Sequence, residues 1–343
     1  MPIKAAVIGA GSMGNNHLAL LATIPDVQIV ALVDPDEQAS RAAAEKHRVP
    51  AVYPDIAPML AAERPEYVVV ASPVKYHAPQ AIAAFDAGAH VLVEKPLCMD
   101  LAEAEGIVAA ATRAGRLFTM GFQRRQSRAF RALKRFIADG KLGAIYHSRV
   151  WGGHTMSYAW GRYHHRKDQS FGGVAAATVI HDLDALLWVI GVPEPVTVSA
   201  SIFRKLDKVP DPYISFIGTA ADVTVEDFAH AHVRFADGSS MSIEGNWLMH
   251  PRKRHSGFEI NGVLGIGSDA PPMVELDRGR DVDPVELEHE PEPANAVLQE
   301  HVEFLAAIQG HGTPVVTFRE ALVVQRILVG LYESAERGGE VRV

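Results

Sequence analysis

The run Gly9-Ala10-Gly11-Ser12-Met13-Gly14 constrains this chain more than any other segment. It follows a short apolar stretch, residues 5–8, that reads as a strand, and precedes a stretch, 17–23, that reads as a helix. In that context Gly9 makes a tight turn, Gly11 lets a phosphate group approach the backbone, and Gly14 lets the helix pack against the strand. The helix N-terminus then offers unpaired N–H groups and positive potential to an anion. Asp34 closes the next strand about 20 residues on, where a carboxylate accepts hydrogen bonds from ribose hydroxyls. These features predict a dinucleotide held by Gly9, Gly11, Ser12, Met13, Gly14 and Asp34. The charge on Asp34 repels a ribose 2′-phosphate, Pro35-Asp36 supply no cation, and Arg41 lies well into the following helix. The predicted cofactor is NAD rather than NADP.

Short β-branched runs alternate with Ala-rich helical stretches through the first part of the chain. Strands are predicted at 5–8, 29–33, 67–71, 90–93 and 117–120, and helices at 17–23, 37–47, 79–86 and 102–114. This rhythm is that of a parallel sheet with crossover helices. After Phe122 it changes. A helix at 129–138, a strand at 145–151 and a loop rich in Gly, His and Tyr precede an apolar helix at 178–190, which Gly191 and Pro193 stop. Strands follow at 196–203, 227–235 and 240–247, the last two flanking an Asp237-Gly238 hairpin signal. Helices at 296–309 and 318–336 finish the chain, and the acidic stretch 281–292 reads as a solvated loop. The expected organisation is a Rossmann domain over 1–122 and a second domain over 123–343, with the C-terminal helix free to return to the first.

With 343 residues and a formal charge of −8, the chain lacks the basic surface that nucleic acid or an anionic membrane attracts. The single cysteine, Cys98, cannot form an internal disulfide and suits a reducing, cytoplasmic compartment. The start reads as a strand running into the glycine loop rather than as a signal peptide, and no apolar stretch approaches the roughly 18 residues of a membrane span.

A second cluster marks the chemistry. Glu94-Lys95-Pro96 places a lysine at the carboxyl end of a predicted strand, the edge at which open α/β sheets bind ligands. Together with the glycine loop, Ser72-Pro73, Gly121-Phe122-Gln123-Arg124-Arg125 and His181-Asp182-Leu183-Asp184, it gives a chain that resembles the Gfo/Idh/MocA family along nearly its whole length. The resemblance implies a Rossmann domain joined to an α/β domain with a large, open, mostly antiparallel sheet, assembled as a homodimer or homotetramer. It also implies that Ser72, Pro73, His77, Glu94, Lys95 and Gln123 line the cofactor, and that Thr178 touches substrate.

Removing hydride from a carbinol needs a group that accepts the hydroxyl proton and a donor that stabilises the developing alkoxide. Lys95 and His181 are the residue types for those roles. Lys95 suits either donor or base once burial lowers its pKa, and His181 suits proton exchange. Inositol dehydrogenase-like members carry an aspartate four residues before this histidine; here the position is Ala177. Asp184, three residues after His181 and on its face of the helix, is the preferred acid for a substrate contact. Arg124 or Arg125 reaches substrate or cofactor, or makes a structural ion pair. The loop from Trp151 through His154, Trp160, Arg162 and His165 to Asp168 mixes aromatic and hydrogen-bonding groups as a sugar ring requires, and His165 is its candidate substrate residue. His230 and His232 share a strand face without a third metal ligand at suitable spacing, so no metal is expected. The leading expectation is an NAD-dependent dehydrogenase of a cyclic polyol or sugar, inositol-like, with no nucleic-acid or membrane partner. The alternatives are a glycosidase acting through transient oxidation and elimination, and a non-catalytic NAD-binding sensor.

Overall fold

A computed structural model describes residues 1–155, 163–209, 219–249, 256–269 and 272–343. Contacts divide the chain into two units, Met1–Gln123 with Asn295–Ala321, and Arg124–Ala294 with Leu322–Val343. The first contains β1 (Ile3–Ile8), α1 (Ser12–Leu21), β2 (Val27–Val33), α2 (Glu37–His47), β3 (Val52–Tyr53), α3 (Ile56–Glu63), β4 (Tyr67–Val70), α4 (His77–Asp86), β5 (His90–Val93), α5 (Leu101–Ala114) and β6 (Phe118–Met120). Its six strands lie in the order β3-β2-β1-β4-β5-β6 and all pair in parallel. Helices on both faces leave β4 wholly buried, which is why its sequence is a continuous apolar run rather than an alternation. The chain order reverses at β1 and β4, and the crevice at the carboxyl ends there is where such sheets bind ligands. Helix α1 starts at Ser12, earlier than the periodicity predicts, because the glycine turn delivers the chain straight into the helix. The short β3 and α3 escape prediction, since two strand residues show no periodicity.

The second unit contains α6 (Arg128–Ala138), β7 (Ile145–Thr155), α7 (Lys167–Ser170), α8 (Ile180–Val189), β8 (Pro195–Phe203), β9 (Phe228–Phe235), β10 (Ser240–Met249), β11 (Gly257–Gly262), β12 (Gly265–Asp269), β13 (Pro272–Asp277) and β14 (Val282–Val285). Helix α9 (Ala296–Ile308) then lies in the first unit, where Phe304 and Leu305 join the core around β1 and β4. Helix α10 (Phe318–Arg337) and β15 (Val341–Arg342) end the chain. Among the described residues the sheet has nine strands in the order β14-β13-β12-β11-β7-β10-β9-β8-β15, antiparallel at every pairing except β7 with β10. The acidic stretch is not a plain loop: Val282–Val285 pairs with β13, and Glu292 accepts hydrogen bonds from Ser127 Oγ and the N–H groups of Arg128 and Ala129 at 2.8–2.9 Å, capping α6. The segment Lys167–Val189 also amends an expectation. It is long and apolar enough to cross a membrane by length and composition, and 83% of its most apolar window is buried inside the protein, as in a core helix.

Small residues set how α8 sits. A π-helical turn, Ala175–Val179, leads into it. Gly152 of β7 and Gly245 of β10 pair in register beneath that turn. A Cβ on Gly245 would stand 2.9 Å from Val174, and one on Gly152 would stand 3.3 Å from Val179. The turn's N-terminus is tied by the buried Glu226, whose carboxylate accepts from the N–H of Gly173 (2.8 Å), the N–H of Ala175 (3.1 Å) and the Tyr332 hydroxyl (2.8 Å). Burial pushes the Glu226 pKa up, and these three donors oppose the shift. A Cβ on Gly173 would lie 2.0 Å from the Glu226 carbonyl oxygen, so only glycine lets the two segments meet. Gly173→Ala should therefore cost about 1–3 kcal/mol through overpacking, seen as a lower Tm in thermal unfolding. Gly339→Ala, whose added Cβ meets nothing within 4 Å, should leave Tm unchanged.

Candidate active site

The cofactor cradle is built by contacts that only glycine permits. A Cβ on Gly14 would sit 1.8 Å from the Gly9 carbonyl oxygen, and one on Gly9 would sit 2.5 Å from the Ala71 carbonyl oxygen, while one on Gly11 would meet nothing within 4 Å. Gly9 and Gly14 thus bring α1 against the ends of β1 and β4, and Gly11 and Ser12 stay exposed beside the half-buried Met13. Aspartates cap α2, α3 and α5, whereas no side chain caps α1 at Gly11. Its first-turn N–H groups are left for an anion, as a pyrophosphate requires. Asp34 accepts from Ala10 N–H at 2.7 Å and Asp36 N–H at 2.8 Å, one bond on each oxygen. Those bonds fix the carboxylate and leave lone pairs for ribose hydroxyls. Arg41, further along α2, pairs with Glu37 one turn before it. The residues present fit NAD.

Beyond β5 the chain turns through Glu94, Lys95 and Pro96, with a cis Lys95–Pro96 peptide. Glu94 is buried. Its Oε1 lies 3.0 Å from His17 Nε2, its Oε2 accepts from Lys95 N–H at 3.2 Å, and a Cβ on Gly121 would stand 2.8 Å from its carboxyl. The predicted cofactor residue Glu94 is thus an internal clamp on the lysine's backbone. Burial lowers the Lys95 pKa, opposed by the charge on Glu94. His77 is also internal: its ring nitrogens lie 2.8 Å from the carbonyl oxygens of Ser72 and Pro96, strutting the loop after β4 to the loop after β5. Burial pushes its pKa down against the pull of those carbonyls. Ser72 Oγ donates to Gln80 at 2.6 Å, and Ser72, Pro73 and Gln123 are half-buried.

In the second unit His181 and Thr178 are half-buried, and Trp247 Nε1 donates to Thr178 Oγ1 at 2.8 Å. The expectation for Asp184 is overturned. It is completely buried and gripped by Arg125 through Nε (2.9 Å) and Nη2 (2.6 Å), an inward pair that leaves no oxygen facing a sugar. Burying a carboxylate in this way demands a fully matched cation, and Arg125, buried over the Trp188 ring, supplies it. Arg124 pairs with Asp182 and lies 3.5 Å from Asp269, which realises the ion-pair alternative. His165 is buried, its carbonyl accepting from Thr224 N–H at 2.9 Å, and burial and Arg166 lower its pKa. Trp160 and Arg162 lie outside the described residues. Sequence reasoning passed over His17 and Glu226. His17 carried a signal, since it shares the buried face of α1 with Gly14, Leu18 and Leu21.

Residues 3–122 match the model for an oxidoreductase family with an NAD-binding Rossmann fold, and residues 130–266 match the GFO/IDH/MocA C-terminal domain. The D-glucoside 3-dehydrogenase of Escherichia coli K12 is 26% identical over 349 residues, covering 100% of this chain and 98% of that protein. An inositol 2-dehydrogenase of Salmonella paratyphi B is 29% identical over 195 residues, 55% of each chain. The crystal structure of an oxidoreductase domain protein from Kribbella flavida superposes with a TM-score of 0.85 at 25% identity, over 100% of this chain and 99% of that one. With both of its domains matched in order, the chain belongs to the Gfo/Idh/MocA family of NAD-dependent oxidoreductases.

Proposed function

We propose that this protein is an NAD-dependent dehydrogenase that oxidises a secondary ring hydroxyl of a cyclic polyol or sugar to a ketone. The observation that carries the reading is Lys95, held by its own neighbour Glu94 at the carboxyl edge of the sheet whose glycine loop fits the dinucleotide. The similarity over the full length to a D-glucoside 3-dehydrogenase supports a sugar or glycoside as substrate. Bound NAD supplies the hydride acceptor. Lys95 hydrogen-bonds the reacting oxygen and stabilises its developing negative charge, and His181 takes the hydroxyl proton. Ala177 provides no acid one helical turn before His181, so orientation of the imidazole falls to the packing of α8 rather than to a carboxylate at that position. Thr178, held by Trp247, contributes a hydroxyl to substrate. The same proposal places the protein in the cytoplasm, as a homodimer or homotetramer associating through the open face of the nine-stranded sheet.

Incubation with NAD and a panel of polyols, free sugars and glycosides should produce NADH together with a ketone. Release of an aglycone without NADH would instead support the elimination chemistry, and tight NAD binding with no turnover across the panel would support a sensor. Lys95→Ala should lower kcat by about 100-fold or more, the scale of general acid–base catalysis. The wild-type kcat should fall at high pH with a midpoint below pH 10.5, the ordinary lysine value, because burial makes Lys95 lose the proton that stabilises the developing charge at a lower pH. For the cofactor, Asp34→Ala should weaken NAD binding by about 10- to 100-fold in calorimetry, the worth of charged hydrogen bonds, and should narrow the preference over NADP.

A further inference from the structure

Behind Glu94 lies a buried row of polar side chains that the proposed chemistry does not use. His17 Nδ1 stands 2.9 Å from His301 Nε2, and His301 Nδ1 stands 2.8 Å from the Tyr67 hydroxyl. His17, Tyr67 and His301 are each fully buried, and they come from α1, β4 and α9. With the bond from His17 Nε2 to Glu94 Oε1, they form one line of three hydrogen bonds inside the first unit.

Proton bookkeeping gives that line a direction. Among the described residues the Tyr67 hydroxyl meets a single hydrogen-bond partner, His301 Nδ1. A buried O–H aimed nowhere costs about 1–3 kcal/mol, so Tyr67 donates. His301 then accepts at Nδ1 and carries its proton on Nε2, which donates to His17 Nδ1. His17 in turn carries its proton on Nε2 and donates to Glu94 Oε1, while Glu94 Oε2 accepts from Lys95 N–H, so both oxygens serve as acceptors, as those of a carboxylate do. Burial and the neighbouring His17 hold the His301 pKa well below its usual value, in keeping with a neutral ring. Burial, with the charges of Glu300 and Glu94, pushes the Tyr67 pKa well up, so its hydroxyl keeps its proton. The titratable groups around this line are Glu94, Lys95 and His77 at one end and Glu300 at the other.

We propose that Tyr67, His301 and His17 are positioning residues for Lys95: the hydroxyl of Tyr67 sets the tautomers of both histidines, and these hold Glu94 as the carboxylate that clamps the lysine backbone. The inference rests on the dehydrogenase reading for its kinetic part and is independent of it for its structural part. Nitrogen-15 NMR of histidine-labelled protein without substrate should show His17 and His301 each as the single Nε2–H tautomer. Tyr67→Phe, which keeps the ring and removes the donor, should abolish the single tautomer of His301. A proton on Nδ1 of either histidine in the wild type would overturn the proposal. Kinetics supply the second arm. His17→Gln places an amide N–H where Nε2 stood and should keep kcat within about threefold. His17→Asn, which reaches only the Nδ1 side, should lose about tenfold or more in kcat with little change in substrate KM, although both variants share a similar Tm. Equal loss in the two, tracking Tm, would reduce the row to a structural support. If the wild type turned over none of the panel, the dehydrogenase reading would fail while the tautomer result stood or fell by itself.

Discussion

The contact between Gly14 and the carbonyl of Gly9 decides the geometry of everything around the cofactor cradle. With no side chain at either position, α1 touches the turn that leaves β1, and its uncapped N-terminus faces the switch point of the sheet. The same contact sets the depth of His17, one turn further along α1, and so brings an imidazole to Glu94. A larger residue at position 14 would lift the helix and separate both features at once. Phosphate binding and the placement of the lysine are in this way two results of one close approach.

Both units bury carboxylates and solve the cost in different ways. Asp184 is matched by a forked guanidinium, Glu226 by two backbone N–H groups and a tyrosine hydroxyl, and Glu94 by an imidazole and one N–H. A buried charge left unmatched is strongly destabilising, and each of these acids joins segments distant in sequence. Arg125–Asp184 joins the turn after Gln123 to α8, and Glu226 joins the start of the π-helical turn to α10. The carboxylates therefore act as fasteners whose positions the fold cannot relax without exposing them.

Much of the first unit was legible in the sequence because its signals are local. A β-branched run, three glycines and an acid at the end of the next strand lie within a few dozen residues, and the observed β1, β2, β4, β5 and β6 overlap the predicted strands. The hairpin at Asp237-Gly238 was legible for the same reason, with Gly238 at φ 88°. What escaped was set by partners far along the chain. Helical spacing puts Asp184 on the face of His181, but only the tertiary structure shows Arg125 claiming it. His301 lies 284 residues from His17, and nothing near either residue announces the other. The strands β12 to β14 are short and rich in glycine, proline and charge, so their sequences lack the alternation that marked β9, and in β11 the alternation runs over only four residues, Phe258-Glu259-Ile260-Asn261.

The two ends of the nine-stranded sheet carry a consequence for how the protein behaves in a crowded solution. An exposed strand edge is a template on which a foreign chain can add itself. Among the described residues one edge is β15, two residues long, and the other is β14, which holds Asp283 and Pro284 and is preceded by Asp281. Proline withholds the donor that strand addition needs, the aspartates repel an incoming acidic chain, and a two-residue strand offers too few bonds to template anything. Among the described residues a sheet this wide is thereby guarded at both margins against the addition of a further strand.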